Sequence, residues 1–315
     1  MWILAGFNLT ARAARWLGKD VDAAAVQADF DSLMADFRAH AKRNMGKLPD
    51  GTPYLRMWMR GQSDHVIKPE FKGKLMPWQK LGLASGTWAY CQAIYTGEIF
   101  APDDPLVQNL LTMFDRVDDV QGIPEGMGWL LDRSIWTYGP AFAAQAWLYA
   151  GRADKAVDYL YAFANHAAPT RVWREEQSLD NTGHGHCNGD MPHNWASAEF
   201  IQLVRNLLVC ERGDDLELLF GLPPEWARPG MRTFVERTPT RFGPVTVDCR
   251  LGVRGGGSLT VKLDPAWNRN PAALRIKLPP GTRSPKHRGR VLTFDKRAWS
   301  DGYLHIGLVS ARSGG

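Results

Sequence analysis

Glycines at positions 18, 97, 151 and 213 each close a stretch whose apolar residues recur at helical spacing, and long irregular segments separate the stretches. That rhythm restricts the fold. A helix, a tight glycine turn, a second helix and a long loop, repeated, put the tight connections at one end of an antiparallel array and the elaborated loops at the other. Residues 3–17 bring Leu4, Phe7, Ala11, Ala14 and Leu17 to one side, and residues 20–44 do the same with Phe30, Leu33, Met34 and Phe37. Further helices are predicted over 78–96, 104–116, 135–150, 152–167 and 193–211. Asp104 is the expected N-cap of its helix, with Pro105 at the first helical position. The loops 46–77, 120–134 and 168–192 are long enough that function, not connection, explains their length.

Beyond Gly213 the period drops to two. Segments 246–251, 258–263, 274–278 and 303–308 alternate apolar and polar residues between clusters of Gly and Pro. The expectation is a mostly α chain: an (α/α) toroid of helical hairpins over 1–213, then a small antiparallel β-domain over 214–315, joined through 216–230. Three helical pairs and a single helix make about seven helices, an incomplete ring. The first helical stretch begins without a cap, so further helices are expected on its N-terminal side. An open apolar flank favours association, so a homo-oligomer is expected to cover it.

Composition removes several classes of function. The net charge of +5 is spread out, with no run of five basic residues, and the cluster Lys286–Arg290 reads as a solvated loop. Nucleic acid is therefore not the expected partner. No apolar run is long enough to span a bilayer and the first residues lack a basic leader, so neither a membrane nor secretion is expected and the cytoplasm is. Cys91, Cys187, Cys210 and Cys249 have no close pairing and predict no disulfide framework. Thirteen tryptophans are the unusual component, and such rings suit flat apolar surfaces edged by polar groups.

The chemistry concentrates in the third long loop. Val172-Trp173-Arg174-Glu175-Glu176-Gln177 and Gly189-Asp190-Met191-Pro192-His193-Asn194-Trp195 bring carboxylates, a cation, an imidazole and two indoles into one loop-to-helix passage. Cleaving a glycosidic bond needs paired carboxyl groups, one giving a proton and the other activating water or attacking. Burial beside Trp173 would raise a carboxyl pKa, while Arg174 would keep it ionised. Glu175-Glu176 could equally be a solvated pair. Glu199, on the last helix, reads as structural.

On these residues, the stretch from Trp129 to Trp226 resembles the end of the toroid in six-hairpin glycoside hydrolases, α-L-rhamnosidase-like enzymes above all. Trp173-Arg174-Glu175-Glu176 matches the loop that holds the general base, and Pro192-His193-Asn194-Trp195 matches the opening of the next helix. Arg174 departs from that pattern, which has Glu directly after Trp, so the base is Glu175 or Glu176. The resemblance implies an inverting, exo-acting hydrolase of a terminal sugar such as rhamnose. It also implies a general acid on an earlier hairpin, where this chain offers Asp132, Glu125 and Glu70. Asp132 has a second reading as the N-cap of the helix near residue 135.

Substrate contacts are assigned to Trp129, Trp136, Trp173, Arg174, Asp190, His193 and Trp195. No cofactor or metal is expected. His184-Gly185-His186-Cys187 with Asp190 and His193 offers nitrogen and sulfur donors, but not at the usual zinc spacing. Two competing functions stay open. One is a non-catalytic carbohydrate-binding or assembly remnant. The other is a polysaccharide lyase using Tyr138 or His193 as base, with Arg174.

Overall fold

The computed structural model describes residues 1–48, 50–57, 84, 86–116, 119–124, 127, 134–178, 189–263, 269–299 and 302–311. Among them the chain is mixed α/β, and the expectation of a mostly α protein is overturned. About 41% of it is helix and 24% strand, which is too much sheet for a helical array with a small appendage. Seven helices are described: α1 (Trp2–Trp16), α2 (Asp20–Asn44), α3 (Trp88–Ile94), α4 (Pro105–Phe114), α5 (Gly139–Tyr149), α6 (Ala153–Asn165) and α7 (Asn194–Leu208). The surplus of sheet comes from two sources. Short strand pairs form mostly inside the segments expected to be loops, and residues 135–136 and 209–211, expected as helix, lie in strands.

The chain divides into two compact units, Met1–Ile201 and Gln202–Gly315, and the division falls within α7. In the first unit α1 packs on α2, α5 packs on α6, and α3 lies against α1 and α5. The local signals read from the sequence are used as expected at α4, where Asp104 Oδ1 accepts from the Leu106 backbone N–H at 2.9 Å and Pro105 opens the helix. Arg38 holds the other oxygen of Asp104 at 2.6 Å. Gly97 serves a different purpose from a simple stop. A Cβ there would come within 2.8 Å of both the Ala5 side chain and the Ala93 carbonyl, so close approach of α1 and α3 demands the missing side chain. α5 is buried all round, with Phe142 and Trp147 among its core residues.

Three two-stranded ladders decorate this unit: β1 (Met45–Lys47) with β2 (Pro53–Leu55), β3 (Asp119–Val120) with β4 (Ile123–Pro124), and β5 (Ser134–Trp136) with β6 (Glu176–Ser178). The last pairs Trp136 with Glu176.

The second unit is two sheets around one core. β7 (Val209–Arg212), β8 (Asp215–Leu218), β12 (Leu274–Lys277) and β14 (Val291–Phe294) form one sheet in the order β14-β12-β8-β7. β9 (Arg232–Thr238), β10 (Val245–Leu251), β11 (Gly257–Leu263), β13 (Thr282–Arg283) and β15 (Tyr303–Ser310) form the other, in the order β13-β15-β11-β10-β9. Both contribute to a single core in which Val247, Cys249, Leu259 and Val261 face Leu216, Leu218, Leu274 and Ile276, the arrangement of a sandwich. The alternation read for 246–251, 258–263, 274–278 and 303–308 corresponds to β10, β11, β12 and β15. The sheet holding β12 is not wholly antiparallel, because β12 runs parallel to β8.

Cys91, Cys210 and Cys249 are buried and in no disulfide among the described residues. No described helix is long and apolar enough to cross a membrane.

Candidate functional site

The chain around Glu175 is clamped from both sides. β6 continues its pairing with β5 one step further, where the Thr137 backbone N–H donates to the Glu175 carbonyl at 3.2 Å and the Thr137 hydroxyl to the Arg174 carbonyl at 2.5 Å. On the other side the segment 189–193 runs back along 173–175. The Glu175 N–H donates to the Asp190 carbonyl at 3.3 Å and the His193 N–H to the Trp173 carbonyl at 2.8 Å. The Arg174 guanidinium donates to the Gly189 carbonyl at 3.2 Å, and Gln177 is tied to His166 at the end of α6. Adjacent residues in this extended segment point to opposite sides, as the pleat requires. Glu176 is 3% exposed, while the half-buried Glu175 turns toward the 189–193 segment.

Gly189 makes that turn feasible. A Cβ at this position would lie 2.2 Å from Glu175 Oε2 and 2.3 Å from its Cβ, and its φ of +79° is a conformation other residues rarely adopt. The Glu175 side chain thus occupies the space a larger residue would fill. Glu175, Asp190 and His193 each bring a polar atom within 4.8 Å of the others. His193 Nδ1 lies 2.5 Å from Asp190 Oδ1. That hydrogen bond holds the Asp190 carboxyl below the usual carboxylate range, so Asp190 is ionised at neutral pH. His193 Nε2 is buried and has no hydrogen-bond partner among the described residues. The Nδ1–Asp190 contact fixes the ring and leaves Nε2 as the atom that can meet a ligand. Two carboxylates and an imidazole are also a donor set for a divalent cation, although Asp190 in its hydrogen bond to His193 already has a role without one.

An aromatic cluster floors the cluster of polar groups. The Tyr138 ring stacks 5.0 Å from His193 and 5.2 Å from Trp195, and Trp136 lies 4.5 Å from Tyr138. Trp88 joins Trp136 at 5.6 Å and Trp195 at 6.4 Å. Tyr138 is fully buried, and burial together with the charges of Glu175, Glu176 and Glu199 pushes its hydroxyl pKa far up. Trp195 is 41% exposed and its indole N–H donates to Glu199 Oε1 at 3.0 Å. Burial raises the Glu199 pKa, and the indole hydrogen bond opposes that shift.

The expected site residues therefore separate. Glu175, Asp190, His193 and Trp195 converge. Arg174 is beside them but its guanidinium is directed to the Gly189 carbonyl. Glu176 and Trp136 lie on the buried side of the β5–β6 ladder, and Trp136 supports the floor from beneath at 3% exposure. Trp173 is in the helical core, 5% exposed, with its indole N–H donating to the Phe163 carbonyl at 2.8 Å and its ring against Phe163 and Phe200. It has no surface to offer a sugar, and its contribution is the carbonyl that holds His193. Asp132, Trp129, Glu125, Glu70, His184, His186 and Cys187 lie outside the described residues. Sequence reading missed Gly189, Trp88 and the link from Glu199 to Trp195. Only the last had a signal, since residues four apart on a helix are neighbours.

No protein-family model matches the chain, and no curated protein matches it.

Proposed function

We propose that the chain is a glycoside hydrolase of the inverting, exo-acting kind, with Glu175 as the base that activates water. The observation that carries this reading is the fixed position of Glu175: clamped at its backbone, packed against Gly189, and set beside a polar pair and a partly exposed indole. A sugar ring has an apolar face and a rim of hydroxyls, and the site has a matching division of labour. Trp195 would take the apolar face. His193 Nε2 and Asp190 would take hydroxyls. Asp190 is unsuited to the general acid on two grounds. It is held ionised, and it lies within 4.8 Å of Glu175, whereas the carboxyls of inverting enzymes stand about 6.5–9.5 Å apart. Asp132 remains the acid proposed from the sequence, and the resemblance to rhamnosidase-like enzymes favours a terminal deoxy sugar. A lyase with Tyr138 as base is disfavoured, because that hydroxyl is fully buried and its pKa is raised.

The test is hydrolysis of a panel of aryl glycosides that includes the α-L-rhamnoside. Glu175→Gln is expected to lower kcat by roughly 10²–10⁴-fold with little change in KM, as loss of a general base does. Wild-type protein that turns over no member of the panel, or Glu175→Gln at full rate, would overturn the reading and leave the non-catalytic carbohydrate-binding one.

A further inference from the structure

The aromatic floor continues beyond the site. Trp88 touches Trp195 at 6.4 Å on one side and Trp2 at 4.7 Å on the other, so a single run of rings leads from His193 through Tyr138, Trp195 and Trp88 to Trp2 at the start of α1. Its members differ in exposure. Trp88 is 9% exposed, whereas Trp195 and Trp2 are 41% and 52% exposed. The two open indoles are also held in the same way. The Trp2 N–H donates to Gln92 Oε1 at 2.9 Å, as the Trp195 N–H does to Glu199 Oε1 at 3.0 Å. Each ring has its polar edge satisfied by a neighbour and its orientation fixed, leaving ring surface open to solvent.

We infer that Trp2 and Trp195 are two stacking subsites of one carbohydrate-binding platform, so that the ligand is a neutral oligosaccharide and not a single sugar. This inference rests on the carbohydrate reading of the Glu175 site and extends it along the chain of the substrate. Pre-fixed indoles bind the apolar faces of successive sugar rings at low entropic cost. The two steps from Trp195 to Trp2 span a short oligosaccharide. Charge selects against the other class of stacking ligand. Glu175, Asp190 and Glu199 lie along the inner end of the platform, where they would repel the phosphates of a nucleic acid strand. Binding energy gathered at Trp2 is remote from the scissile bond, so it can position the reacting end.

The experiment measures binding separately from turnover. Glu175→Gln protein is applied to an array of neutral glycans. The best-bound oligosaccharide and its terminal monosaccharide are then titrated by calorimetry against that protein with and without Trp2→Ala, Trp2→Phe and Trp195→Ala. Trp2→Ala is expected to weaken the oligosaccharide about tenfold and leave the monosaccharide unchanged, a difference of about 1.4 kcal/mol. Trp2→Phe should restore most of the loss, and Trp195→Ala should weaken both ligands. The platform is refuted by an array with no bound glycan, by Trp2→Ala affecting neither ligand or both equally, or by Trp2→Ala only changing the oligomeric state in sedimentation. That last result would make Trp2 an interface residue. Length-dependent binding without any hydrolysis by the wild type would overturn the hydrolase reading and keep the platform. Hydrolysis with an indifferent Trp2 would do the reverse.

Discussion

The sandwich core and the candidate site give their carboxylates different partners. In the sandwich, Glu211 is met by Arg205, with one contact at 2.7 Å, and by the backbone N–H of Arg241 at 2.9 Å. Glu217, 2% exposed, lies between Arg212 at 3.0 Å and Arg275 at 3.3 Å. At the candidate site the half-buried Glu199 takes its hydrogen bond from an indole and the exposed Asp190 takes its own from an imidazole, whereas Asp104, elsewhere in the first unit, is held by Arg38 as the sandwich carboxylates are by their arginines. Burial raises the Glu211 pKa, but Arg205 and Arg241 more than compensate and the net shift is downward. At Glu199 burial prevails and the shift is upward. A guanidinium partner neutralises a carboxylate and fixes it, which suits a scaffold. An indole partner orients a carboxylate without cancelling its charge, which suits chemistry.

Four substitutions would break or sharpen this contrast. Leu259→Ala, in the centre of the sandwich core at 0% exposure, should cost about 3 kcal/mol of unfolding free energy. Urea denaturation measures it, and activity per folded molecule should be unaffected if the second unit is a scaffold. Gly189→Ala should act on activity instead. The added methyl collides with Glu175, so hydrolysis per folded molecule should fall about 100-fold, about 2.7 kcal/mol in the activation barrier, beside a stability loss of about 1–3 kcal/mol from the left-handed backbone. A variant that unfolds instead would mean that Gly189 is part of the core.

The smallest effect is in the pH dependence. A carboxyl whose folded pKa is raised loses native-state stability as pH climbs from its unfolded value through the raised one. Glu199→Gln should remove that decline, so its melting temperature should fall less than the wild type's across the weakly acidic range. Glu211 has the reverse sign. Its contribution is present above the unfolded pKa and is lost as pH falls through the depressed one. Glu211→Gln should therefore flatten the acid limb, and identical profiles for the two variants would erase the distinction between the sandwich core and the candidate site.

The sequence made local structure legible where one residue type has one physical use. Asp104-Pro105 opened a helix, and the two-residue alternation located β10, β11, β12 and β15. It misled where the competing signal is tertiary. Val209-Cys210-Glu211 reads as the end of the last helix, yet these residues turn into β7 because Asp215–Leu218 pairs with Val209–Arg212 across the Gly213-Asp214 turn. The β5–β6 ladder joins segments about forty residues apart and leaves no periodic trace over three residues. At the site, residue types sufficed to gather Glu175, Asp190, His193 and Trp195. They could not say that Trp173 faces inward, because an indole in a loop suits a core and a sugar equally well.

Trp173 ties the site to the fold in a further way. Its ring is locked among Phe163 and Phe200 while its carbonyl accepts from the His193 amide. Freeing the His193 amide therefore disturbs the backbone of a residue whose indole is locked in the core, so the 189–193 loop shares the opening energy of the helical core. The slow amide exchange normally reserved for the middle of a helix should extend to this loop residue. Its order comes with folding, before any ligand arrives.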